Sequence, residues 1–155
     1  MKNLKNKTVL ITGGARGIGK QIAIEFAAQG CNIIICDLDK SFFNKDNFKS
    51  NIEDIENFGV SCWGYNLDVT QYQDVVNIRK KILDNVGKID ILVNNAGGPP
   101  MGTISEKTEK EWNKSIQTNL MSVARLTKMV LTGMKKKKMG KNNYYNINNR
   151  ERTYP

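Results

Sequence analysis

A glycine-rich segment is the part of this sequence whose residue types and spacing most directly suggest chemistry. Residues 12–19 read Thr-Gly-Gly-Ala-Arg-Gly-Ile-Gly, directly after an apolar run at 8–11 and before a helical pattern at 22–29. Glycines let the backbone come close to a phosphate, and a helix N-terminus offers free N–H groups and a partial positive charge. The segment therefore predicts a site for the diphosphate of a dinucleotide. The candidate contacts are Thr12, Gly13, Arg16, Gly17, Ile18 and Gly19.

Two other interpretations of the glycine segment stay open at this point. Residues 14–20 read GxxxxGK, which approaches the phosphate loop of nucleoside triphosphatases. That loop needs a Ser or Thr hydroxyl for magnesium at the next position, where this chain has Gln21. The strict dinucleotide fingerprint GxGxxG is also absent, so a glycine turn without any ligand is the second alternative.

An acidic residue follows the second apolar run at the position where a dinucleotide site needs one. Asp37 comes directly after residues 33–36, and 18 residues after Gly19. A carboxylate there accepts hydrogen bonds from the adenosine ribose and repels a 2′-phosphate, which favours NAD over NADP. Arg16 favours NADP instead, since a guanidinium can pair with that phosphate. We therefore predict NAD as the cofactor, with NADP as the alternative.

The apolar pattern alternates between strands and helices. Strand-like runs occupy residues 8–11, 32–36, 60–65 and 89–93, and Ser105 and Thr108 are predicted caps ahead of the last helix. Such alternation predicts an α/β fold, a doubly wound parallel sheet with helices on both faces in three layers. The predicted apolar helix faces are Ile18, Ile22 and Phe26; Phe48, Ile52 and Ile55; Val75, Ile78, Ile82 and Val86; and Trp112, Ile116, Leu120, Val123 and Val130.

Four motifs follow one another along the chain: residues 12–19, the pair Asp68-Val69, the run Asn94-Asn95-Ala96-Gly97, and Asn119. Together they resemble the short-chain dehydrogenase/reductase family. The resemblance extends over residues 5–140, and the layout is similar to that of 3-oxoacyl-carrier-protein reductases. It implies a Rossmann-type sheet with strand order 3-2-1-4, and hydride transfer between a nicotinamide cofactor and a carbonyl or alcohol substrate.

The resemblance also assigns roles to individual residues. It implies that Asp68 and Val69 lie beside the adenine ring. Asn119 is similar to the catalytic asparagine that helps to hold a water in the proton relay of this family. The remaining positions, which come close to the nicotinamide ribose, are Asn95, Ala96 and Gly97.

The sequence departs from the family after its last helical pattern. No serine follows Ser122, and Tyr144 and Tyr145 have asparagines where the family motif places a lysine. The family's Ser, Tyr and Lys thus have no counterpart, which implies a cofactor-binding chain without catalysis. We expect a partial Rossmann domain at 1–140, truncated after the fourth βα unit, and a disordered Asn-rich tail at 141–155. A frameshift near codon 141 is our hypothesis for this tail.

Composition narrows the remaining function classes. The net charge is +9, of which residues 135–155, with seven Lys/Arg and one Glu, carry +6. We interpret this excess as a solvated helix end rather than a nucleic-acid site. A basic-tailed module that binds nucleic acid or a protein partner is the alternative function. The chain has no histidine, which excludes Ser-His-Asp triads and most zinc sites, and we expect no metal.

The cysteines and the absence of long apolar runs indicate the cellular compartment in which we expect the protein. Cys31, Cys36 and Cys62 form no CxxC motif and are predicted to be free, buried thiols in a reducing environment. No apolar run approaches the length of a membrane span, and residues 1–7 lack the features of a secretory signal. We therefore expect a cytoplasmic protein with no membrane partner. Members of this family are often dimers or tetramers, so the resemblance leaves a homo-oligomer as an option for this chain.

Overall fold

The computed structural model describes residues 4–39, 45–98 and 102–136. The predicted tail at 141–155 lies outside these residues. Four strands alternate with five α-helices, and a π-helical turn at Gln117–Met121 joins the last two helices. The strands are β1 (Thr8–Thr12), β2 (Asn32–Asp37), β3 (Cys62–Asn66) and β4 (Ile91–Val93). The helices are α1 (Gly17–Ala28), α2 (Lys45–Glu56), α3 (Tyr72–Asn85), α4 (Glu109–Ile116) and α5 (Ser122–Lys136).

The sheet is parallel, and its strand order is β3-β2-β1-β4, which confirms the predicted order. In the ladders that flank β1, Val9 pairs with Ile33 on one side and Ile91 on the other. All five residues of β1 are buried, because helices cover both faces of this central strand. A strand in this position is a continuous apolar run rather than an alternating one, which is the pattern of residues 8–11.

Two apolar cores, one on each face of the sheet, make the three predicted layers. Alternate residues of a strand point to opposite faces, so β1 sends Val9 and Ile11 into the first core and Leu10 into the second. Helix α1 contributes Ala23 and Ala27 to the first core. The second core receives Val75, Ile78 and Ile82 from α3, and Leu126 and Val130 from α5.

Small residues let α1 lie close to the sheet. Gly19, Ala23 and Ala27 follow one another at four-residue spacing and are the buried residues of this helix. The predicted apolar face of α1 is only partly correct: Ile22 and Phe26 pack against the first core, but Ile18 is 74% exposed. Ile18 lies in the first turn, which extends beyond the edge of the core.

The last helical region differs from the single long helix that the apolar spacing predicts. The π-helical turn separates α4 from α5, and only α5 buries side chains in the second core. Trp112, Ile116 and Leu120 are 40%, 47% and 62% exposed. The predicted apolar face of the last helix is therefore divided in two. Its α5 part covers the sheet, and its part in α4 and the π-helical turn is an apolar surface that nothing in the described chain covers.

The three cysteines are free and buried, as predicted. Burial raises the pKa of the Cys36 and Cys62 thiols to about 12, so both stay protonated at neutral pH and are poor nucleophiles. Among the described helices, none is both long enough and apolar enough to cross a bilayer.

Candidate functional site

The predicted site residues gather where the four parallel strands end. One of the predicted motifs lies at the carboxyl end of each strand: the glycine turn after β1, Asp37 as the last residue of β2, the Asp68-Val69 pair after β3 and the run 95–97 after β4. The strand order reverses between β1 and β4. After β1 the chain adds β2 and β3 on one side of the sheet, and it then adds β4 on the other side of β1. Doubly wound sheets bind ligands in the crevice at such a switch point.

A compact hydrogen-bond network joins the ends of β1 and β4. The Thr12 hydroxyl accepts hydrogen bonds from the backbone N–H groups of Asn95 (3.1 Å) and Ala96 (3.0 Å). The Asn95 side-chain amide donates to the carbonyl oxygens of Thr12 (3.1 Å) and Gly13 (2.9 Å). The network fixes the glycine turn relative to the loop after β4, so that two of the predicted motifs form a single site.

The glycines of this turn are required by close contacts rather than by flexibility alone. A Cβ on Gly19 would lie 2.6 Å from the Asn95 amide nitrogen and closer still to the Gly13 carbonyl. Gly13 itself has a φ of +63° and passes close to the backbone of Ala96. Gly17 also has a positive φ, of +54°, but beyond its own helix and chain neighbours no atom of the described residues lies within 4 Å of the place of its Cβ, so space is open there beside the first turn of α1.

The N-terminus of α1 has no side-chain cap. Its N-cap residue is Arg16 in an extended conformation, without a capping hydrogen bond, and the first turn has no acidic residue. The first N–H groups of an α-helix have no partner within the helix, so this 12-residue helix presents donors and a partial positive charge beside the glycine turn. An anion is the natural complement of that end.

Asp37 is buried, and both of its carboxylate oxygens accept from the backbone. One accepts from the Ala15 N–H (3.1 Å) in the glycine turn, and the other from the Asp39 N–H (3.2 Å). The Gly13 N–H also donates to the Cys36 carbonyl (2.7 Å). Asp37 therefore orders the turn itself, a role that the sequence did not suggest.

The Arg16 side chain lies beside the segment that follows β2. Its guanidinium lies 3.7 Å from the carboxylate of Asp39, and its side chain is 70% exposed. Asp39 is an acidic residue that the motifs do not include; its position two residues after Asp37 is the available indication. Among the described residues, the end of β2 has two carboxylates, Asp37 and Asp39, with the Arg16 guanidinium beside Asp39.

Asp68 and Val69 lie in the loop between β3 and α3. One Asp68 oxygen accepts from the backbone N–H (2.9 Å) and hydroxyl (2.7 Å) of Thr70, which shapes the entry into α3. The Thr70 carbonyl in turn accepts from Arg125 of α5 (2.9 Å). Val69 is buried in the second core, so its side chain supports the loop. Their predicted position beside an adenine ring stays a prediction.

Asn119 lies in the π-helical turn and binds the loop after β4. Its side-chain oxygen accepts from the Gly98 N–H (3.1 Å), and its amide donates to the Gly98 carbonyl (3.2 Å). The same amide donates to the Ser115 carbonyl (3.0 Å) one turn earlier. A Cβ on Gly97 would lie 2.6 Å from the Asn119 oxygen, which explains a glycine there. Asn119 therefore positions the loop, and the catalytic role implied for it stays a prediction.

Comparison with known proteins places these features in a family. A family model described as short chain dehydrogenase matches residues 7–141. Two curated relatives share the name 3-oxoacyl-(acyl-carrier-protein) reductase: one from Escherichia coli K12 is 37% identical over 139 residues, and one from Thermotoga maritima is 34% identical over 137. The match covers 90% and 88% of this chain, and 54% of each relative.

Solved structures show the same similarity of fold. L-sorbose reductase from Gluconobacter frateurii, in complex with NADPH and L-sorbose, gives a TM-score of 0.78 at 28% identity. An alcohol dehydrogenase from Thermococcus sibiricus, in complex with 5-hydroxy-NADP, gives 0.75 at 29%. The matches cover 86% and 85% of this chain, but 49% and 55% of those proteins.

The chain belongs to the short-chain dehydrogenase family. This confirms the resemblance drawn from its motifs. The chain spans about half the length of the curated relatives that it matches.

Proposed function

We propose that this chain binds a nicotinamide dinucleotide at the carboxyl ends of β1, β2 and β4. The observation that carries the proposal is the Thr12–Asn95 network, because it holds an uncapped helix N-terminus and a close-packed glycine turn at the switch point of the sheet. The residues fit the group: the open space at Gly17 and the free donors of α1 suit a diphosphate. Two related structures are described as complexes with NADPH and 5-hydroxy-NADP.

We further propose that NAD is preferred over NADP. Asp37 and Asp39 stand together at the end of β2, with Arg16 beside Asp39. Two carboxylates repel a 2′-phosphate, while one guanidinium attracts it, so the net local charge opposes NADP. The related complexes contain NADP-type cofactors, and the acidic pair of this chain supports the opposite preference here.

The reaction class proposed for the intact fold is reduction of a carbonyl or oxidation of an alcohol. The bound cofactor would supply hydride transfer. The chain's own residues orient the cofactor: Thr12 and Asn95 fix the glycine turn, and Asn119 fixes the loop at Gly98. The sequence has no counterpart of the family's Ser, Tyr and Lys, so we propose that these 155 residues bind the cofactor without turning over a substrate.

A fluorescence titration with NADH, run in parallel with NADPH, tests the proposal. We expect saturable binding of NADH and weaker binding of NADPH. The variant Gly19→Ala should lower NADH affinity by at least about tenfold, since the added Cβ displaces the turn. Gly133→Ala is the control, because Gly133 also lies within a helix (α5), but it is exposed and its added Cβ would meet no described atom outside that helix. If the folded chain binds neither NADH nor NADPH at millimolar concentration, the proposal of cofactor binding is contradicted.

A further inference from the structure

Asn66, the last residue of β3, binds the backbone that follows β2. It is in register with Asp37, and with this pair the ladder between β2 and β3 ends. Its side-chain amide donates to the Leu38 carbonyl (3.2 Å) and, over a longer distance, to the Asp37 carbonyl (3.4 Å). The Asp37 carbonyl also accepts from the Leu67 N–H (2.9 Å). The Asn66 side chain therefore extends the strand pairing by one residue beyond the ladder.

The Leu38 carbonyl belongs to a peptide group that is held from both sides. The N–H of the same peptide is that of Asp39, and it donates to the Asp37 carboxylate (3.2 Å). In a trans peptide the C=O and the N–H point in opposite directions. The Asn66 amide binds the carbonyl and the Asp37 carboxylate binds the N–H, so the two contacts together fix the rotation of this peptide.

Apolar packing does little to hold the same peptide. The Leu38 side chain is 61% exposed, so burial of apolar surface contributes little to its conformation. The ion pair between Arg16 and Asp39 joins groups 3.7 Å apart, with the Arg16 side chain 70% exposed, and pairs of this kind add little stability. The hydrogen bond from Asn66 to the Leu38 carbonyl is therefore an important restraint on the orientation of this peptide.

The orientation of this peptide affects two carboxylates. Asp37 accepts from the Asp39 N–H with one oxygen and from the Ala15 N–H (3.1 Å) with the other, so rotation of the peptide would remove one of its two restraints. The same rotation would move the Asp39 side chain relative to Arg16. The proposed preference for NAD depends on these same three charged side chains.

We propose that Asn66 is a positioning residue for the discrimination between NAD and NADP. It acts through the Leu38–Asp39 peptide, which holds the Asp37 and Asp39 carboxylates where the 2′ position of the adenosine ribose would lie. This inference rests on the proposed function, since it concerns the same site. Asn66 lies two residues before Asp68 and belongs to none of the four motifs.

Parallel titrations of Asn66→Ala with NADH and NADPH test the proposal. The variant removes the amide and leaves the three charged side chains in place. We expect NADH affinity to fall about fivefold, as the loss of one hydrogen bond would cause, and NADPH affinity to fall by less than about twofold. The ratio of NADPH to NADH affinity should therefore rise. An unchanged ratio, including equal losses for the two nucleotides, would overturn the proposal.

Two further variants separate positioning from a general effect on the fold. Asn85→Ala removes another exposed side-chain amide that binds a residue of β3, the Tyr65 hydroxyl (3.4 Å), from the C-terminal end of α3. It should leave the ratio of affinities unchanged. Asn66→Gln keeps an amide donor at the end of β3 and should restore the ratio at least halfway to its native value. The proposal is overturned if Asn85→Ala changes the ratio as Asn66→Ala does, or if Asn66→Gln restores nothing.

Amide hydrogen exchange without cofactor distinguishes failure of this inference from failure of the proposed function. In Asn66→Ala the Asp39 N–H should exchange at least about fivefold faster, because its peptide is no longer held, while exchange in β1 stays slow. If the native chain binds NADH but Asp39 exchange does not respond to the substitution, this inference fails and the proposed function stands. If exchange responds but the native chain binds neither nucleotide, the proposed function fails, and the role of Asn66 in selectivity fails with it.

Discussion

Asn95 donates two hydrogen bonds to Thr12 across the end of the sheet. The Thr12 hydroxyl accepts from the Asn95 backbone N–H at 3.1 Å, and the Asn95 amide donates to the Thr12 carbonyl at 3.1 Å. The two residues are 83 positions apart in sequence. This double contact joins the glycine turn and the loop after β4, and the proposed cofactor site depends on it.

Removal of the Thr12 hydroxyl should weaken both the fold and the site. Thr12→Val keeps the shape of the side chain but leaves the N–H groups of Asn95 and Ala96 without their acceptor. We expect a loss of about 1–3 kcal/mol in the free energy of unfolding, measured with urea, together with lower NADH affinity. Thr8→Val is the control, since Thr8 is also a buried threonine of β1 but lies at its other end. Equal losses in both variants would disprove the specific role of the network.

The charge balance beside β2 predicts how cofactor preference can be changed. Asp39→Asn removes one of two carboxylates and leaves the Arg16 guanidinium unopposed by that charge. Exposed ion pairs are worth about 0.2–1 kcal/mol, so the ratio of NADPH to NADH affinity should rise by roughly two- to fivefold. Asp54→Asn, which breaks the Lys20 pair on α2, is the matched control and should not change the ratio. An unchanged ratio in Asp39→Asn would count against this account of selectivity.

The contact between Asn119 and Gly98 predicts a local change in dynamics. Asn119→Ala removes the acceptor of the Gly98 N–H and the donor to the Gly98 carbonyl. Amide hydrogen exchange at Gly98 should therefore become faster, while exchange in β1 stays slow, because local opening depends on local hydrogen bonds. Asn113→Ala, at an exposed position of α4, should leave both unchanged. If the Gly98 N–H stays protected from exchange in Asn119→Ala, Asn119 does not position this loop.

Gly97 and Asn119 should be coupled in a double-mutant cycle. The Cβ of Gly97→Ala would lie 2.6 Å from the Asn119 side-chain oxygen, so this variant should be destabilised in the native background. In the Asn119→Ala background that oxygen is absent, and the same substitution should cost markedly less. Residues in direct contact show coupling energies of about 0.5–3 kcal/mol, which urea unfolding resolves. Additive effects would mean that another contact requires the glycine.

Sequence and structure agree best where the pattern is long-range and repetitive. The alternation of apolar runs predicts the four parallel strands, because each buried strand of a parallel sheet must be apolar on both faces. Their order was expected from the resemblance to the family and not from the alternation. The glycine turn and Asn95 belong to motifs that the resemblance assigned to one site, and the structure brings them into contact. The three buried cysteines follow from their positions in or beside the strands.

Local side-chain contacts were harder to predict. Thr108 caps α4 through a capping box with Glu111 as expected. A 3₁₀ turn at Ile104–Glu106 precedes α4, and Thr103 caps it, whereas the predicted cap Ser105 lies inside the turn. The π-helical turn at Asn119 has no periodic indication, because it depends on contacts with Gly98 that the sequence does not reveal. The same reason applies to Asp37, whose carboxylate binds the turn at Ala15, 22 residues away.

The capping box of α4 predicts a pH dependence of stability. Hydrogen bonds from the backbone and hydroxyl of Thr108 lower the pKa of Glu111 from 4.5 to about 2, and Lys107 adds to this effect. A carboxylate whose pKa is lower in the folded chain stabilises it fully above the unfolded pKa, and loses that contribution as pH falls towards the folded value. Glu111→Gln should therefore reduce the loss of stability between about pH 4.5 and pH 2, measured by urea unfolding at each pH.

Glu109→Gln removes a charge from the same helical turn without the Thr108 contacts, so it is the control. Because Glu106 also has a lowered pKa, the informative quantity is the difference between the two variants. Identical pH profiles for both would exclude Glu111 as the source.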